Sequence, residues 1–154
     1  MHPVRRWFER ARAIPGGTRV FSFLLGRYIP YTGTIGARVE SLADGEAVVR
    51  LEDRRCVRNH LDSVHAVALA NLGEFSTGLA VLGSAPDGSR AILKRLQVDY
   101  RKKARGTLVA TARVEVPRGA GRHEVWARSE IRNEAGDVVT SIDALWVLEV
   151  RSRE

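Results

Sequence analysis

The sequence is poor in cysteine and lacks the segments that mark secreted and membrane-spanning chains. Cys56 is its only cysteine, which excludes an intramolecular disulfide. No run approaches the roughly 18 consecutive apolar residues that a membrane span requires. Residues 1–12 contain no apolar run of the kind found in a secretory signal peptide. We therefore expect a cytoplasmic chain without a membrane span.

Lysine is also scarce, and this shortage bears on how the charge is interpreted. The chain has 154 residues, the size of one domain, and a net charge of +7. Such a charge is compatible with nucleic-acid binding, in which affinity falls steeply with salt. However, only 3 of the 25 basic residues are lysine, an arginine excess typical of a G+C-rich genome. We favour that explanation and expect no nucleic-acid partner.

Helical periodicity marks two segments near the N-terminus, and a strand pattern follows them. Apolar residues recur at helical spacing over Pro3–Ile14, and a second short helix is predicted over Thr18–Tyr28. The aromatic residues of the second segment suit contact with a membrane surface or a subunit partner. After Gly33 the apolar period changes to two, which predicts a hairpin over Ile35–Leu51 with its turn at Asp44.

The next segment carries a single acid inside an apolar helix. The pattern predicts a helix over Val64–Leu82, capped by Asp62 or Ser63, and Glu74 is its one carboxylate. An ionised carboxylate buried without a partner is costly, so Glu74 must reach solvent, meet a partner, or be held neutral in a cleft. The helix is apolar on all sides, which predicts that other elements enclose it.

Four long strand-like runs follow the helix, and we expect them to form an antiparallel meander. Their lengths favour one strongly twisted sheet that curls around the helix. A basic cluster ends the first run and includes Arg101, Lys102 and Lys103. The histidines show no recognised zinc spacing, so no metal site is expected. The runs span Ala91–Lys102, Gly106–Val116, His123–Asn133 and Asp137–Val150.

This order of elements, together with one motif, resembles the PaaI-like hotdog thioesterases. In that family an Asn precedes a His-Gly-Gly motif by six positions and an acid follows the His by nine, and Asn59, His65 and Glu74 keep both spacings. The Asn-His…His-Ala pattern is most similar to the DUF4442 branch, over roughly Ile35–Val150. The resemblance implies an α+β hotdog domain at residues 31–154, with a long central helix wrapped by a curved antiparallel sheet, and an N-terminal helical extension at residues 1–30.

The resemblance also implies an activity, acyl-CoA thioester hydrolysis in a cleft at a dimer interface. It assigns catalysis to Glu74 and Asn59, and it assigns the polarisation of the thioester oxygen to the Ala66 amide. The substrate would include coenzyme A, and no separate cofactor is implied. The substrate-binding residues are then expected to be His65, Ala66, Val67, Asn71, Thr77, Arg101, Lys102 and Lys103.

Two departures from the family pattern keep an alternative open. Ala66 and Val67 stand where the thioesterases have Gly-Gly, and their Cβ atoms narrow the approach to the backbone amide. A non-catalytic protein that binds acyl groups or acyl-CoA is therefore the alternative function. A hotdog dehydratase would need a different motif, which the sequence does not contain. Either function is compatible with a homodimer, or a tetramer, built by aligning sheet edges across a two-fold axis.

Overall fold

The computed structural model describes residues 1–151, which form four α-helices, one short 3₁₀ helix (Arg55–Val57) and six strands. The helices are α1 (Pro3–Arg12), α2 (Gly17–Tyr28), α3 (Pro30–Gly33) and α4 (Ala66–Ser84). The strands are β1 (Arg38–Ala43), β2 (Glu46–Leu51), β3 (Arg90–Tyr100), β4 (Leu108–Val114), β5 (Gly121–Arg132) and β6 (Val138–Val150). The predicted succession of two strands, a long helix and four strands is thus confirmed. The periodicity did not predict α3 or the short 3₁₀ helix.

All six strands belong to one antiparallel sheet, in the order β1-β2-β4-β5-β6-β3. The predicted meander of four consecutive strands is wrong for β3, the first of the four. β4, β5 and β6 do form a meander, but β3 pairs with β6 at the far edge of the sheet, and β4 pairs instead with β2. The two edges of the sheet are therefore β1 and β3.

The segment that joins β3 to β4 explains this order. Residues 101–107 are too long for a tight hairpin turn, and they cross the end of the sheet from one edge toward the middle. The backbone N–H of Arg101 donates to the carbonyl of Val139. The carbonyl of Ala104 then accepts a hydrogen bond of 2.7 Å from the N–H of Val64, just before α4. The crossing thus joins the sheet to the loop that begins the long helix.

The long helix α4 is enclosed, as its apolar composition predicts. All six strands of the curled sheet contact it, and so do α1 and α3. The helix is capped by His65 rather than by Asp62 or Ser63, because the His65 ring accepts the Val67 N–H. By length and composition α4 could cross a membrane, but most of it is buried inside the fold.

Two glycines set how closely α4 approaches β6. A Cβ atom added to Gly73 would lie 2.5 Å from Cγ1 of Ile142, and one added to Gly78 would lie 2.9 Å from the ring of Trp146. Both distances are shorter than side chains tolerate, so neither position has room for a larger residue. The turn of α4 between these glycines, which carries Glu74, is therefore held against β6.

The first two helices pack on each other and on the first strand. The rings of Phe8 and Phe21 meet edge to face with their centroids 5.3 Å apart. The Val39 N–H of β1 donates to the Ser22 hydroxyl of α2 at 2.9 Å. The β1 edge of the sheet is thus covered by a helix. The division of the chain at residue 30 remains a prediction.

Candidate functional site

The loop before α4 is built around Asn59. Its backbone N–H donates to the Ser63 carbonyl at 2.8 Å. Its side-chain oxygen accepts the N–H groups of Leu61 at 2.9 Å and of Ser63 at 3.3 Å. This geometry is an Asx turn, in which a side chain replaces a backbone acceptor. The Asn59 oxygen is thus committed within the loop, while its amide NH₂ has no acceptor among residues 1–151.

The basic segment after β3 braces this loop. Arg105 donates from Nε to the Asp62 carbonyl at 3.0 Å and from a terminal nitrogen to the Leu61 carbonyl at 3.2 Å. The side chains of Arg101, Lys102 and Lys103 are exposed beside it, and Lys102 forms an ion pair of 3.2 Å with Asp137. The fold thus brings the basic cluster next to the start of α4, although these residues are far from it in sequence.

The first turn of α4 presents backbone donors to solvent. Nδ1 of His65 accepts the Val67 N–H at 3.1 Å. The Ala66 N–H has no acceptor among the described residues, and the Ala66 and Val67 side chains are both exposed. The N-terminal end of a helix carries a partial positive charge that favours a developing negative charge. His65 therefore acts here as a cap, and the Ala66 amide is the donor that remains available.

The Glu74 carboxylate lies two turns further along the helix and is half-buried. Burial alone raises the pKa of its carboxyl above the ordinary value. No Lys, Arg or His within residues 1–151 forms an ion pair with it. A half-buried carboxyl with a raised pKa and no ion-pair partner fits a proton-transfer role. An internal ion pair within residues 1–151 is excluded as the reason for an acid in this apolar helix.

Thr77, predicted to bind substrate, lies beside Glu74 and is fully buried. Its hydroxyl accepts the indole N–H of Trp146 at 3.2 Å and lies 2.9 Å from the Gly73 carbonyl, to which it donates. Both hydrogen-bonding roles of the hydroxyl are therefore filled by the fold. The structure places Thr77 next to the site but ties it to β6.

Asn71, on the other side of Glu74, keeps one free polar atom. Its amide donates to the Tyr31 carbonyl of α3 at 3.4 Å. Its side-chain oxygen is buried and has no hydrogen-bond partner among the described residues. Buried polar atoms are nearly always paired in native proteins, so an unpaired one needs an explanation. A ligand donor at this position would supply the missing hydrogen bond.

Glu74 lies on α4 between residues that contact α3 and residues that contact β6. Residues on either side of Glu74 contact α3 through Asn71 and β6 through Thr77 and Gly78. The strand beyond β6 is β3, which also contacts α4. Within residues 1–151 no hydrogen bond joins Glu74 to Asn59, whose side chain bonds within the loop before α4. Eight helical residues, about 12 Å of rise, separate Glu74 from Ala66 at the start of the helix.

Tyr100 is a residue of this region that the sequence did not single out. It ends β3, and its hydroxyl donates to the Ala66 carbonyl at 2.8 Å. Burial raises the pKa of its phenol. Only the pairing of β3 with β6 brings Tyr100 to the start of α4, and no sequence pattern specified that pairing.

No group of His, Cys, Asp or Glu within the described residues has the arrangement of a metal site.

Comparisons with known proteins agree on the fold. The family model described as a domain of unknown function, DUF4442, matches residues 17–148. A structural genomics protein is 25% identical with a TM-score of 0.81, covering 95% of this chain and 97% of its own. A Pseudomonas aeruginosa protein of unknown function, described as a probable thioesterase, is 24% identical with a TM-score of 0.71, covering 88% and 96%.

A thioesterase family protein from Silicibacter pomeroyi is 15% identical with a TM-score of 0.72, covering 84% of this chain and 96% of its own. No curated protein matches the sequence. At these identities the solved structures establish the fold, and the expected hotdog architecture is confirmed. The family match begins at residue 17, within the segment predicted to be an extension.

Proposed function

This chain belongs to the DUF4442 family of hotdog proteins, and on that basis we propose that it hydrolyses acyl-CoA or a related thioester in a cleft completed by a second copy of the chain. The proposal rests above all on Glu74. Its carboxyl is half-buried, has no structural partner among residues 1–151 and has a raised pKa. Thioesterase-like function is also supported by the solved structures of similar fold that carry thioesterase names.

The proposed chemistry uses Glu74 as a general base. Its carboxylate removes a proton from a water as the water oxygen attacks the thioester carbonyl carbon. The carbonyl oxygen gains negative charge, which the Ala66 N–H and the positive end of α4 of the second copy stabilise, because within one chain Ala66 lies about 12 Å along the helix from Glu74. The carbon–sulfur bond then breaks, and the proton held by Glu74 passes to the departing thiolate. The products are a carboxylic acid and a free thiol.

A second copy of the chain is proposed because the two sheet edges differ. The β1 edge is covered by α2, whose Ser22 accepts the Val39 N–H. The β3 edge is eleven residues long, and no element of the described chain pairs with its outer side. An uncovered edge of this length is a template for pairing with another strand. Antiparallel pairing of two β3 strands across a two-fold axis would form one continuous sheet.

Such a dimer would bring a partner's loop near Glu74, because Thr77 and Gly78, the next turn of α4, contact β6, and β6 is the neighbour of the β3 edge. The free NH₂ of Asn59 would then come from the partner and hold the attacking water or the thioester oxygen. The exposed basic residues 101–103 would bind coenzyme A phosphates at the cleft mouth, as guanidinium and ammonium groups do. The expected cytoplasmic location stays a prediction.

A subunit-mixing experiment tests the shared site. In a dimer that takes Glu74 from one chain and Asn59 from the other, Glu74→Gln and Asn59→Ala chains mixed in equal amounts rebuild one intact site in each mixed dimer. Random pairing then restores about a quarter of the wild-type rate, although each variant alone is inactive. A site built within one chain would give no restoration, and that result would contradict the proposed interface.

A binding protein without turnover is the second candidate, and one observation favours it. Val67 is 53% exposed where the thioesterases have glycine, so its side chain stands beside the amide that a thioester oxygen must approach. Saturable binding of acyl-CoA without release of thiol, across a range of chain lengths, would establish this second function in place of hydrolysis.

A further inference from the structure

An open cavity of 720 Å³ lies between α2 and the β1–β2 hairpin, and the proposed hydrolysis does not use it. Its volume is within the range of ligand-binding pockets. Phe75 of α4 contributes to its wall, whereas Glu74 does not line it. The cavity is therefore separate from the proposed reaction centre, although the two adjoin along α4.

One face of α2 forms the helical wall of this cavity. The residues concerned follow a helical spacing of three and four, which places them on the same side of the helix. Arginines stand at the two ends of this row, eight residues or about 12 Å apart, and an aromatic side chain lies between them. The row consists of Arg19, Ser22, Phe23, Gly26 and Arg27.

The charges on the two walls differ in how they are balanced. On the hairpin wall Arg38 pairs with Glu40 at 3.1 Å, and Arg50 pairs with Glu52 at 3.1 Å. On the α2 wall neither Arg19 nor Arg27 has a carboxylate within ion-pair distance among residues 1–151. The sequence itself contains no acid between Glu9 and Glu40. The helical wall thus carries two positive charges without counter-charges.

Apolar surface lies beside these charges. Phe23 is 65% exposed in the middle of the α2 row, and Phe75 lines the same cavity. An exposed phenyl ring gains free energy when an apolar body covers it. Guanidinium groups bind carboxylate and phosphate with paired, charge-assisted hydrogen bonds. The wall therefore has the two features that recognise a molecule with an anionic head and an apolar body.

We propose that this cavity binds a single-chain amphipathic anion. The carboxylate or phosphate head contacts Arg19 and Arg27, and the apolar chain lies against Phe23 and Phe75. This binding is independent of hydrolysis, because it uses neither Glu74 nor the start of α4. It gives the region of residues 17–38 a ligand-binding role that the proposed thioesterase chemistry does not assign to it.

Titration calorimetry with dodecanoate and dodecyl phosphate, both below their micelle concentrations, tests the proposal. We expect saturable binding of at least one of them, and the tighter of the two identifies the preferred head group. Neutral dodecanol should bind at least about tenfold more weakly, since it lacks the charge-assisted hydrogen bonds. Arg19→Gln and Arg27→Gln should each weaken binding of the anion by about tenfold. Both side chains are exposed, so the variants should fold like the wild type.

Arg118→Gln is the matched control, since it removes one positive charge from a side chain that is 92% exposed and lies near Asp44, at the opposite end of the hairpin. It should bind like the wild type. Equal binding of dodecanol and dodecanoate, or an equal loss in all three arginine variants, would overturn the proposal. Binding only to vesicles that contain anionic phospholipid, with none to the monomeric amphiphiles, would overturn it in favour of a membrane-contact surface.

Discussion

The hydroxyl of Tyr100 donates a hydrogen bond of 2.8 Å to the carbonyl oxygen of Ala66. This contact joins the last residue of the edge strand β3 to the first residue of the central helix α4. The proposed dimer contact and the proposed oxyanion donor are thus connected through one side chain. A change at the β3 edge is therefore expected to reach the start of the helix.

The first prediction concerns the Tyr100 hydroxyl. Tyr100→Phe removes one hydrogen bond at a half-exposed position, so the free energy of unfolding should fall by about 0.5–1.5 kcal/mol, as urea denaturation would measure. Tyr28→Phe is the matched control, because Tyr28 is 85% exposed and its hydroxyl makes no hydrogen bond within the described chain. Equal stabilities of the two variants would show that the Tyr100 contact contributes nothing.

The second prediction separates a structural from a substrate-binding role for Thr77. Thr77→Val deprives the buried Trp146 N–H of its acceptor, and a buried donor left unpaired costs about 1–3 kcal/mol. Thr77→Ser keeps the hydroxyl and should lose less stability. The folded protein should keep the wild-type KM for substrate in both variants. A KM that rises in Thr77→Val at full folding would instead place the hydroxyl on the substrate.

The third prediction is a pH dependence of stability. The folded-state pKa of Glu74 lies above its ordinary value of 4.5, so ionisation opposes folding. Glu74→Gln cannot ionise, and it should therefore be more stable than the wild type at neutral pH. The difference should shrink as the pH falls through the raised pKa and reach its minimum below about 4.5, where the wild-type carboxyl is protonated.

Thermal unfolding of both proteins between pH 4 and 8 measures this difference, at about 2–4 °C in Tm for each kcal/mol. Glu115→Gln serves as the control, because Glu115 is exposed and forms no ion pair among residues 1–151. Its Tm difference from the wild type should not show this dependence. A Glu74→Gln difference that is constant with pH would show that the Glu74 carboxyl titrates normally.

The sequence predicted most elements because their patterns are local. The enclosure of α4 was predicted from its own apolar content, and the strands were predicted from their period-two runs. Neither prediction required information about distant residues. Predicting the partner of β3 did require such information, because the alternating pattern of β3 suits pairing with β4 or with β6 equally. The pairing with β6 depends on residues 101–107, whose hydrogen bonds to Val139 and Val64 become visible only in three dimensions.

The candidate site also has features that the local sequence predicts and features that depend on long-range contacts. The spacing of Asn59, His65 and Glu74 was visible in sequence, and so was the isolation of one acid in an apolar helix. The partners of these side chains were not. The Asx turn at Asn59, the bond from Trp146 to Thr77 and the position of Tyr100 each depend on backbone geometry or long-range packing. The assigned roles therefore stay predictions, and the contacts define how to test them.

The most direct test of the central claim is the rate of thiol release from a panel of acyl-CoA esters by the wild type and by Glu74→Gln. We predict that the wild type hydrolyses at least one ester. Glu74→Gln should lower kcat by about 10²–10⁴-fold, the usual contribution of a general base, and Glu115→Gln should leave it unchanged. Hydrolysis by Glu74→Gln at the wild-type rate, or a wild type that binds the esters and releases no thiol, would contradict the account.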